Sequence, residues 1–586
     1  MIPTPCRFGP EPTASGVRFR LFAPDVSAVD LEIDGLGTLP MLEAGGGFFR
    51  ADVAGAVPGL RYRFVVDGQA VPDPASRMQA EDADGWSVFA PAVVPSPKGL
   101  SRPWHEAVIA EVHVGTATPE GTFRALIGRL DHYRNAGFTA IELMPVGEFP
   151  GRHNWGYDGV LIYAPDRAYG TPDDLRALVA AAHGRGLAVM LDVVYNHFGP
   201  SGNFLPLYAK SFFQPDISTP WGPAIDLGNE TVRAFFVENA AYWLSDFGFD
   251  GLRFDAVHAF ATDGAGTFLR EIAQACRAVR PDAWLVLENH DNIAEWIKPD
   301  ARLFTAQWND DWHHAFHVLA SGEGSGYYAP YARDACAAAA RALAEGFVFQ
   351  GEPYPDAGGK PRGTPSAGLP PEAFVAFAQN HDHIGNRALG DRLAGALAPE
   401  RLALLRFVLM LSPSIPLLFQ GEEALLPKPF PFFCDFGGDL ADAVRTGRRA
   451  EFPDFFIGHE DAEFPDPLDE QTFRSAVLTE GDYAAPGARC ALATFRRLAQ
   501  ARARLIWPLA AGTFLGAEGE CEGTAIVTRW RYEGGTLVLA LNPAAAEAEI
   551  AVPALAAPDE TLGAFELSGD RLHLSPFAAA FWSLPA

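Results

Sequence analysis

Gly251-Leu252-Arg253-Phe254-Asp255-Ala256 is a short, largely apolar run that ends in a carboxylate. Two more runs of this kind follow it, with Glu288 in Trp-Leu-Val-Leu-Glu-Asn and Asp382 in Ala-Gln-Asn-His-Asp-His. A strand buried on both faces should avoid ionised groups, so something other than packing must hold these acids in place. The runs therefore indicate buried strands with polar chemistry at their ends.

The composition of the 586-residue chain is that of a globular protein, with 48% hydrophobic and 20% charged residues. This length exceeds what one core usually supports and predicts roughly two to four domains. The net charge of −28 would repel phosphate backbones and anionic lipids, and no local basic patch offsets it. We therefore expect no nucleic-acid partner.

The first residues, Met-Ile-Pro-Thr-Pro-Cys, lack the basic stretch and apolar core of a secretory signal. No window approaches the roughly 18 to 20 apolar residues that a membrane span needs. We expect a cytoplasmic protein without a membrane partner. The six cysteines lie far apart without paired spacing, so they predict neither a zinc site nor a disulfide framework.

Both ends of the chain alternate apolar and polar residues with a period of two, which is typical of antiparallel strands. Residues 17–21 show this alternation near the start, and residues 526–530 show it near the end. We predict an N-terminal β-sandwich over residues 1–95, which resembles a carbohydrate-binding module, and a C-terminal antiparallel β-domain over residues 505–586.

Between these ends, short apolar runs alternate with amphipathic helices, the order that produces a parallel sheet. The candidate strands are 107–113, 139–143, 187–193, 249–255, 283–288, 302–307, 373–379 and 415–419. These eight strands predict an α/β fold with a (β/α)8 TIM barrel over residues 96–504. A bare barrel needs only ~250 residues, so the loops must carry insertions. The largest, 348–371, is rich in Gly and Pro, lies between strands six and seven, and is expected on the substrate side.

Residues at the carboxyl ends of barrel strands converge on one face, so acids distant in sequence can meet in space. Two carboxylates about 5 to 5.5 Å apart suit retaining glycoside hydrolysis, one as nucleophile and the other as acid and then base. Arg253 shares a strand face with Asp255 and would hold that aspartate ionised. Glu288, partly desolvated and near other carboxylates, would have a raised pKa and enter the reaction protonated.

Four segments resemble the four sequence regions of the α-amylase superfamily of glycoside hydrolases, in order and each on a predicted strand. They are Asp192-Val-Val-Tyr-Asn-His197, Gly251-Leu-Arg-Phe-Asp255, Leu287-Glu-Asn289 and Asn380-His-Asp382. The resemblance covers about residues 105–500. It implies Asp255 as nucleophile, Glu288 as general acid/base and Asp382 as the acid that grips sugar hydroxyls in the transition state.

The same resemblance implies residues that bind the substrate. Asp192, His197, Arg253 and His381 would line the subsite of the sugar that is attacked. His258 stands where many members carry a lysine or histidine that helps to bind the leaving side.

Finer motifs resemble the malto-oligosyltrehalose trehalohydrolase family. They are Glu111-Val-His-Val-Gly-Thr, Asn154-Trp-Gly-Tyr-Asp-Gly, Trp308-Asn-Asp-Asp-Trp-His-His314 and Asn380-His-Asp-His-Ile-Gly-Asn-Arg387. The resemblance implies hydrolysis of the α-1,4 bond next to the terminal trehalose of malto-oligosyltrehalose, with related α-glucans as partners. Within these motifs, the further candidate substrate-binding residues are Tyr157, Trp308, Asp310, Asp311, His313 and Arg387.

The sequence predicts no metal and no cofactor. His313 and His314 have no second ligand pair in the sequence, so we expect hydrogen bonding from both. Asn196 matches a position that binds calcium in many amylases, but the loop after strand three is short here.

Three alternative functions stay open. A glycogen branching enzyme shares the sandwich and the Asn-Trp-Gly-Tyr-Asp-Gly stretch, but usually has a different motif around the third acid. An α-amylase or debranching enzyme would attack plain maltooligosaccharides or α-1,6 branches. A non-catalytic carbohydrate-binding protein would have no need of a nucleophile.

Overall fold

The structure, a computed structural model, describes residues 7–91, 99–219, 222–355, 358–452, 464–552 and 557–586. The predicted domain boundary at residue 95 lies outside these ranges. Within them, no helix combines the length and the apolar character that crossing a lipid bilayer requires.

The N-terminal part consists of two antiparallel sheets, as the period of two predicts. In spatial order, the first sheet contains Glu11–Thr13, Gly16–Phe22, Phe48–Ala54 and Leu42–Gly45. The second contains Gly37–Pro40, Val29–Ile33, Arg61–Val66 and Gln69–Val71, and Ser87–Val88 also pairs with Arg61–Val66. Alternate side chains such as Phe19, Leu31 and Phe64 are fully buried, so they form the core of this part.

The middle of the chain forms a closed barrel of eight parallel strands, which confirms the predicted (β/α)8 fold. The strands are Ile109–Val112, Ala140–Leu143, Ala188–Val193, Gly251–Phe254, Trp284–Leu287, Ala306–Trp308, Phe374–Ala376 and Ile415–Phe419. Strand six starts later than predicted. Pro299–Ala301 forms a short 3-10 helix and Arg302 adopts a left-handed conformation with φ 51°, so an extended strand cannot begin at residue 302.

Helices connect the strands and follow the barrel. The α-helices are Phe123–Ile127, Leu130–Ala136, Pro172–His183, Leu205–Tyr208, Glu230–Asp246, Ala265–Val279, Asp310–Ser321, Ala329–Ala332, Ala335–Glu345, His381–Gly385, Leu393–Ala396, Pro399–Leu411, Gly438–Glu451, Glu470–Ala476, Glu480–Ala484, Pro486–Leu505 and Trp507–Ala510. Helix Pro172–His183 begins with a capping box: Thr171 Oγ1 accepts from the Asp174 N–H, and the Asp174 carboxylate accepts from the Thr171 N–H.

The barrel interior changes from apolar to charged toward the carboxyl ends of the strands. Side chains such as Ala140, Met190 and Ile415 fill the lower layers and are fully buried. The next inward positions on the same strands carry acids, including Glu142 and Asp192. This change of polarity places the charged groups at the end of the barrel where active sites are found.

The insertion predicted between strands six and seven lies at this same end. Its short strands, Glu352–Pro353 and Pro361–Arg362, pair with each other. The N–H groups of Gly363 and Thr364 donate to the backbone carbonyls of Asp291 and Asn292, both at 3.1 Å. Because Asp291 and Asn292 follow strand five, the insertion borders its carboxyl end.

The C-terminal part contains two more antiparallel sheets, as predicted. One has the order Phe514–Glu522, Ala525–Tyr532, Gly535–Leu541, Ala579–Pro585 and Glu560–Leu562. The other has the order Ala548–Ala551, Arg571–Leu574 and Phe565–Ser568. The division into domains at residues 95 and 504 stays a prediction.

Candidate active site

Arg253 joins carboxylates from three adjacent barrel strands. In the sheet register it lies opposite Asp192 on strand three and Val286 on strand five. Its guanidinium donates to Asp192 Oδ2 at 2.6 Å, to Asp255 Oδ1 at 2.8 Å and to Glu288 Oε2 at 2.6 Å. The Arg253 side chain is only 2% exposed, so these charge-assisted bonds are shielded from water.

The Asp255 carboxylate receives a donor on each oxygen. Arg253 bonds to Oδ1, and the side-chain amide of Asn196 donates to Oδ2 at 2.7 Å. Burial by itself would raise the pKa of Asp255, but the charges of Arg253 and His197 and these hydrogen bonds outweigh it and lower the pKa. The group is therefore ionised at neutral pH, as the sequence predicts.

The pKa of Glu288 is shifted in the opposite direction to that of Asp255. Burial raises its pKa well above the usual range, Arg253 opposes this, and Asp255, Asp310 and Asp382 add to the increase. The Ala256 N–H donates to Glu288 Oε2 at 2.8 Å from a left-handed backbone conformation with φ 41°, which is uncommon for alanine. Since Arg253 bonds to the same oxygen, Oε1 is left to carry the proton.

Asp382 lies in the helix that follows strand seven and is the most exposed of the three acids. Asn380 Oδ1 accepts the N–H groups of Asp382 and His383, both at 3.0 Å, and so fixes the start of this helix. Asn386 Nδ2 donates to Asp382 Oδ1 at 2.7 Å. Asp382 therefore has a fixed position while its carboxylate stays open to solvent.

Tyr157 and His381 form a stacked pair beside the acids, with ring centroids 5.1 Å apart and an interplanar angle of 21°. Tyr157 Oη donates to Asp192 Oδ2 at 2.6 Å, and the Tyr157 carbonyl contacts His197 Nε2 at 2.9 Å. The structure thus brings five of the predicted substrate-binding residues together around the acids. They are Tyr157, Asp192, His197, Arg253 and His381.

Two residues beside the acids were not predicted as site residues. Glu111, on strand one, accepts the backbone N–H of His381 at 3.0 Å and also bonds to His381 Nδ1. Asn196 donates to Asp255, as described above. The signal for Glu111 was present, because it is another acid inside a buried apolar strand.

Trp308 and Asp311 are buried where the sequence predicts contact with substrate. Trp308 is 2% exposed, and the Arg253 guanidinium covers its ring at 4.1 Å from the centroid. Asp311 is 0% exposed; its Oδ2 accepts the N–H of Val348 at 2.6 Å, and its Oδ1 accepts from Arg362 at 3.0 Å. Trp308 thus packs against the Arg253 guanidinium, and Asp311 anchors the start of the insertion. Contact of these two residues with substrate stays a prediction.

His313 is also buried, with 1% of its surface exposed. Its Nδ1 donates to the Ala378 carbonyl at 2.7 Å, and its Nε2 lies 3.0 Å from Tyr328 Oη. Both ring nitrogens thus have protein partners, and burial holds the pKa of this histidine well below its usual value. The hydrogen bonding that the sequence predicts for His313 is therefore present, and its contact with substrate stays a prediction.

The three remaining predicted residues are His258, Asp310 and Arg387. His258 is exposed and accepts the His290 N–H at its Nδ1, 3.2 Å away. Asp310 begins the helix after strand six, and burial raises its pKa to about 7 despite the opposing charge of Arg362. Arg387 bonds to both carboxylate oxygens of Glu323, at 3.1 and 3.2 Å, and to Asp391.

Known proteins resemble this chain in sequence and in fold. Residues 75–221 match the family described as the alpha amylase catalytic domain. A malto-oligosyltrehalose trehalohydrolase from Deinococcus radiodurans is 39% identical over 481 aligned residues, covering 80% of this chain and 78% of that protein. Another from Rhizobium sp. (strain M-11) is 36% identical over 602 aligned residues, covering 97% and 98%.

A crystal structure of a protein from Salmonella typhimurium, provisionally named an alpha amylase, is 43% identical with a TM-score of 0.90. The match covers 98% of this chain and 99% of that one. With this overall similarity and the curated relatives above, the chain belongs to the malto-oligosyltrehalose trehalohydrolase family.

Proposed function

We propose that this protein is a retaining glycoside hydrolase that cleaves the α-1,4 bond next to the terminal trehalose of malto-oligosyltrehalose, releasing trehalose and a maltooligosaccharide. One observation carries the proposal of hydrolysis: Asp255 and Glu288 share the Arg253 guanidinium, yet their pKa values shift in opposite directions. Paired carboxyl groups in opposite protonation states supply a nucleophile and an acid at the same pH. The family of the chain supplies the substrate.

In the first half of the reaction, Asp255 attacks the anomeric carbon of the glucosyl unit that precedes trehalose. The bond from this carbon to the glycosidic oxygen breaks, and Glu288 gives its proton to that oxygen, so trehalose departs as an alcohol. A glycosyl ester on Asp255 remains. Arg253 and the Ala256 N–H, which both donate to Glu288 Oε2, stabilise the negative charge that Glu288 gains.

In the second half, a water molecule attacks the same carbon while Glu288 takes up its proton. The ester bond breaks, and the maltooligosaccharide leaves with its original α configuration. Asp255 departs as a carboxylate, which Arg253 and Asn196 stabilise through the bonds of 2.8 and 2.7 Å described above. The enzyme returns to its starting protonation state.

The attacked sugar would lie against the stacked pair of Tyr157 and His381. Asp382, the most open of the acids, would accept hydrogen bonds from its hydroxyl groups as the ring distorts. Asp192 and His197 would complete this subsite, because both contact Tyr157.

The trehalose unit would leave on the side of His258. This histidine is exposed and accepts the backbone N–H of His290. His290 directly precedes Asp291 and Asn292, whose carbonyls bond to the insertion. Asp310 and Arg387 would contribute to the outer parts of the cleft. The insertion would then help to separate substrates that end in trehalose from plain glucans.

Separate reactions with maltotriosyl trehalose and maltopentaose test the substrate. Free trehalose from the first, with little turnover of the second, supports the proposal. Glucose and maltose from maltopentaose would instead indicate an α-amylase, and longer branched glucans would indicate a branching enzyme. No product from any of these substrates would indicate a non-catalytic carbohydrate-binding protein. A cytoplasmic location stays part of the proposal, and cell fractionation tests it.

A further inference from the structure

We propose that His313, His314 and His383 form a binding site for a divalent transition-metal ion such as Zn²⁺. One ligand nitrogen from each ring lies within 4.8 Å of those of the other two. His313 and His314 belong to the helix after strand six, and His383 belongs to the helix after strand seven. The barrel therefore brings a third histidine close to the adjacent pair His313 and His314, although it lies far from them in sequence.

The hydrogen bonds of His313 fix its tautomer. A carbonyl oxygen can only accept, so the 2.7 Å contact with Ala378 shows that Nδ1 carries the hydrogen. The lone pair of the ring therefore lies on Nε2, where Tyr328 Oη is the present partner at 3.0 Å. Metal-bound histidines commonly have this arrangement, with one N–H donating to a backbone carbonyl and the other nitrogen on the metal. His313 is thus already oriented as a ligand.

His314 and His383 each have an unpaired ring nitrogen. The Nδ1 atoms of both are buried and have no hydrogen-bond partner in the described part of the chain. His314 as a whole is only 5% exposed. Buried polar atoms without partners are uncommon and costly, and a metal ion would give both nitrogens a partner.

The distances between the rings suit binding of one shared metal ion for two of the three histidine pairs. With metal–nitrogen bonds of about 2.0 to 2.1 Å, two imidazole ligands of one zinc ion have ring centroids roughly 5 Å apart. The observed separations are 5.4 Å for His313 and His314 and 6.1 Å for His314 and His383. His313 and His383 are stacked at 3.5 Å, so His383 must turn about its side-chain bonds when an ion binds. His383 is partly exposed, whereas His313 and His314 are buried, so His383 is the ring that turns.

The donor set determines which ions fit. Three imidazole nitrogens suit Zn²⁺, Ni²⁺ or Cu²⁺, whereas Ca²⁺ and Mg²⁺ prefer oxygen ligands. Because His383 directly follows Asp382, the movement that binding requires would disturb this acid. We therefore expect the ion to lower turnover.

Titration of the metal-free, full-length protein with Zn²⁺, followed by calorimetry, tests the site without measuring activity. We expect one tight site per chain in the wild type. His314→Gln and His383→Gln should each weaken binding about tenfold or more. His573→Gln, which changes a histidine in the C-terminal sheets, serves as the control and should bind as the wild type does.

Three results would overturn the proposal: no Zn²⁺ binding by the wild type, equal binding by all variants, or a loss that the His573 variant shares. Circular dichroism verifies that each variant is folded. If His314→Gln does not fold, the partly buried His383→Gln variant still decides the question. Co²⁺ adds a second readout, because four-coordinate binding to histidines gives visible absorption that the His383 variant should lose.

Discussion

The carboxylate of Glu111 holds His381 by two contacts. One oxygen accepts the His381 backbone N–H at 3.0 Å, and the other bonds to the ring at Nδ1. Burial alone would lower the pKa of His381, but the charge and hydrogen bond of Glu111 outweigh it and raise the pKa. Glu111 therefore fixes both the orientation and the charge of the ring that stacks on Tyr157.

Glu111→Gln should lower kcat/KM by about one to two orders of magnitude, because a hydrogen bond to a charged group contributes about 1.5–3 kcal/mol. The substitution also removes the negative charge that raises the pKa of His381. The imidazolium would then lose its proton at a lower pH, so the alkaline limb of the kcat/KM profile should move to lower pH. The pH dependence of kcat/KM measures both effects.

Glu142→Gln is the matched control for this experiment. Glu142 is paired with Glu111 in the barrel register and is equally buried, but neither of its carboxylate oxygens has a hydrogen-bond partner in the described residues. The control should keep kcat/KM and the pH profile close to those of the wild type. If both variants behave alike, Glu111 acts only through general packing and charge.

Asp255→Ala and Glu288→Gln should each reduce turnover of malto-oligosyltrehalose by orders of magnitude while the fold stays intact. The two variants should differ on a maltosyl fluoride, whose leaving group needs little protonation. Glu288→Gln should form the glycosyl ester rapidly with this substrate, whereas Asp255→Ala should not react. Mass spectrometry of the intact protein detects the ester. Equal rescue of both variants would contradict the assigned roles.

The stability of the protein should respond to pH through Glu142. Burial raises the pKa of Glu142 well above its usual value, and the charges of Asp192 and Glu111 add to this increase. The folded state therefore keeps a proton that the unfolded state loses above about pH 4.3. This contribution to stability is complete at low pH and is lost as pH rises toward the folded-state pKa.

Glu142→Gln has no such titration. From pH 5 to 7, its free energy of unfolding should gain on that of the wild type by up to about 1.4 kcal/mol per pH unit. Urea unfolding of both proteins at several pH values measures this difference. A difference that does not change with pH would mean that Glu142 is ionised in the folded state.

The barrel could be predicted from sequence because each of its strands is a continuous apolar run, such as Trp284–Leu287. The strand-end acids could also be predicted, since barrel topology alone brings them to one face. The partner of Glu111 could not, because His381 lies 270 residues further along the chain. The contact between Glu111 and His381 depends on how side chains pack inside the closed barrel, and the sequence does not show this packing.

The protein contacts of Trp308 and Asp311 could not be predicted for a different reason. Both lie in a segment dense in hydrogen-bonding side chains, and sequence alone does not separate polar groups that face a cleft from those that anchor a loop. Asp311 is turned inward because the N–H groups of Val348 and Phe349 and the Asn292 amide need an acceptor there.

The anchor of the insertion can be tested at Arg362. This arginine donates to Asp311 and Tyr331 and, through Nε, to the His290 carbonyl at 2.8 Å. Lysine cannot reproduce this fork of donors, and a weakened buried ion pair is costly. Arg362→Lys should therefore loosen the insertion and raise the KM for maltotriosyl trehalose.

Arg341→Ala is the control on the outer side of the same insertion. Arg341 pairs with Glu352 at 2.6 Å, but its side chain is 34% exposed, and such pairs contribute only about 0–1 kcal/mol. Limited proteolysis and KM should both stay close to the wild type in this variant. An equal effect of both substitutions would show that the buried anchor has no special role.

Trp155 fills the space that a side chain at Gly385 would occupy. A Cβ at Gly385 would lie 1.9 Å from Trp155 Cζ2, and Trp155 is itself packed against Phe430 with ring centroids 5.3 Å apart. Neither ring can move freely, so Gly385→Ala must shift the short helix that carries His381 and Asp382. We expect a loss of about 1–3 kcal/mol in unfolding free energy together with reduced kcat.

Gly447→Ala separates this clash from the general effect of adding a methyl group. Gly447 lies in helix Gly438–Glu451, and a Cβ there would meet no atom within 4 Å. Since alanine has a higher helix propensity than glycine, this variant should be about 0.5–1 kcal/mol more stable. Thermal melts and kcat of both variants measure the contrast. If Gly385→Ala keeps full activity and stability, the contact between Trp155 and the helix does not position Asp382.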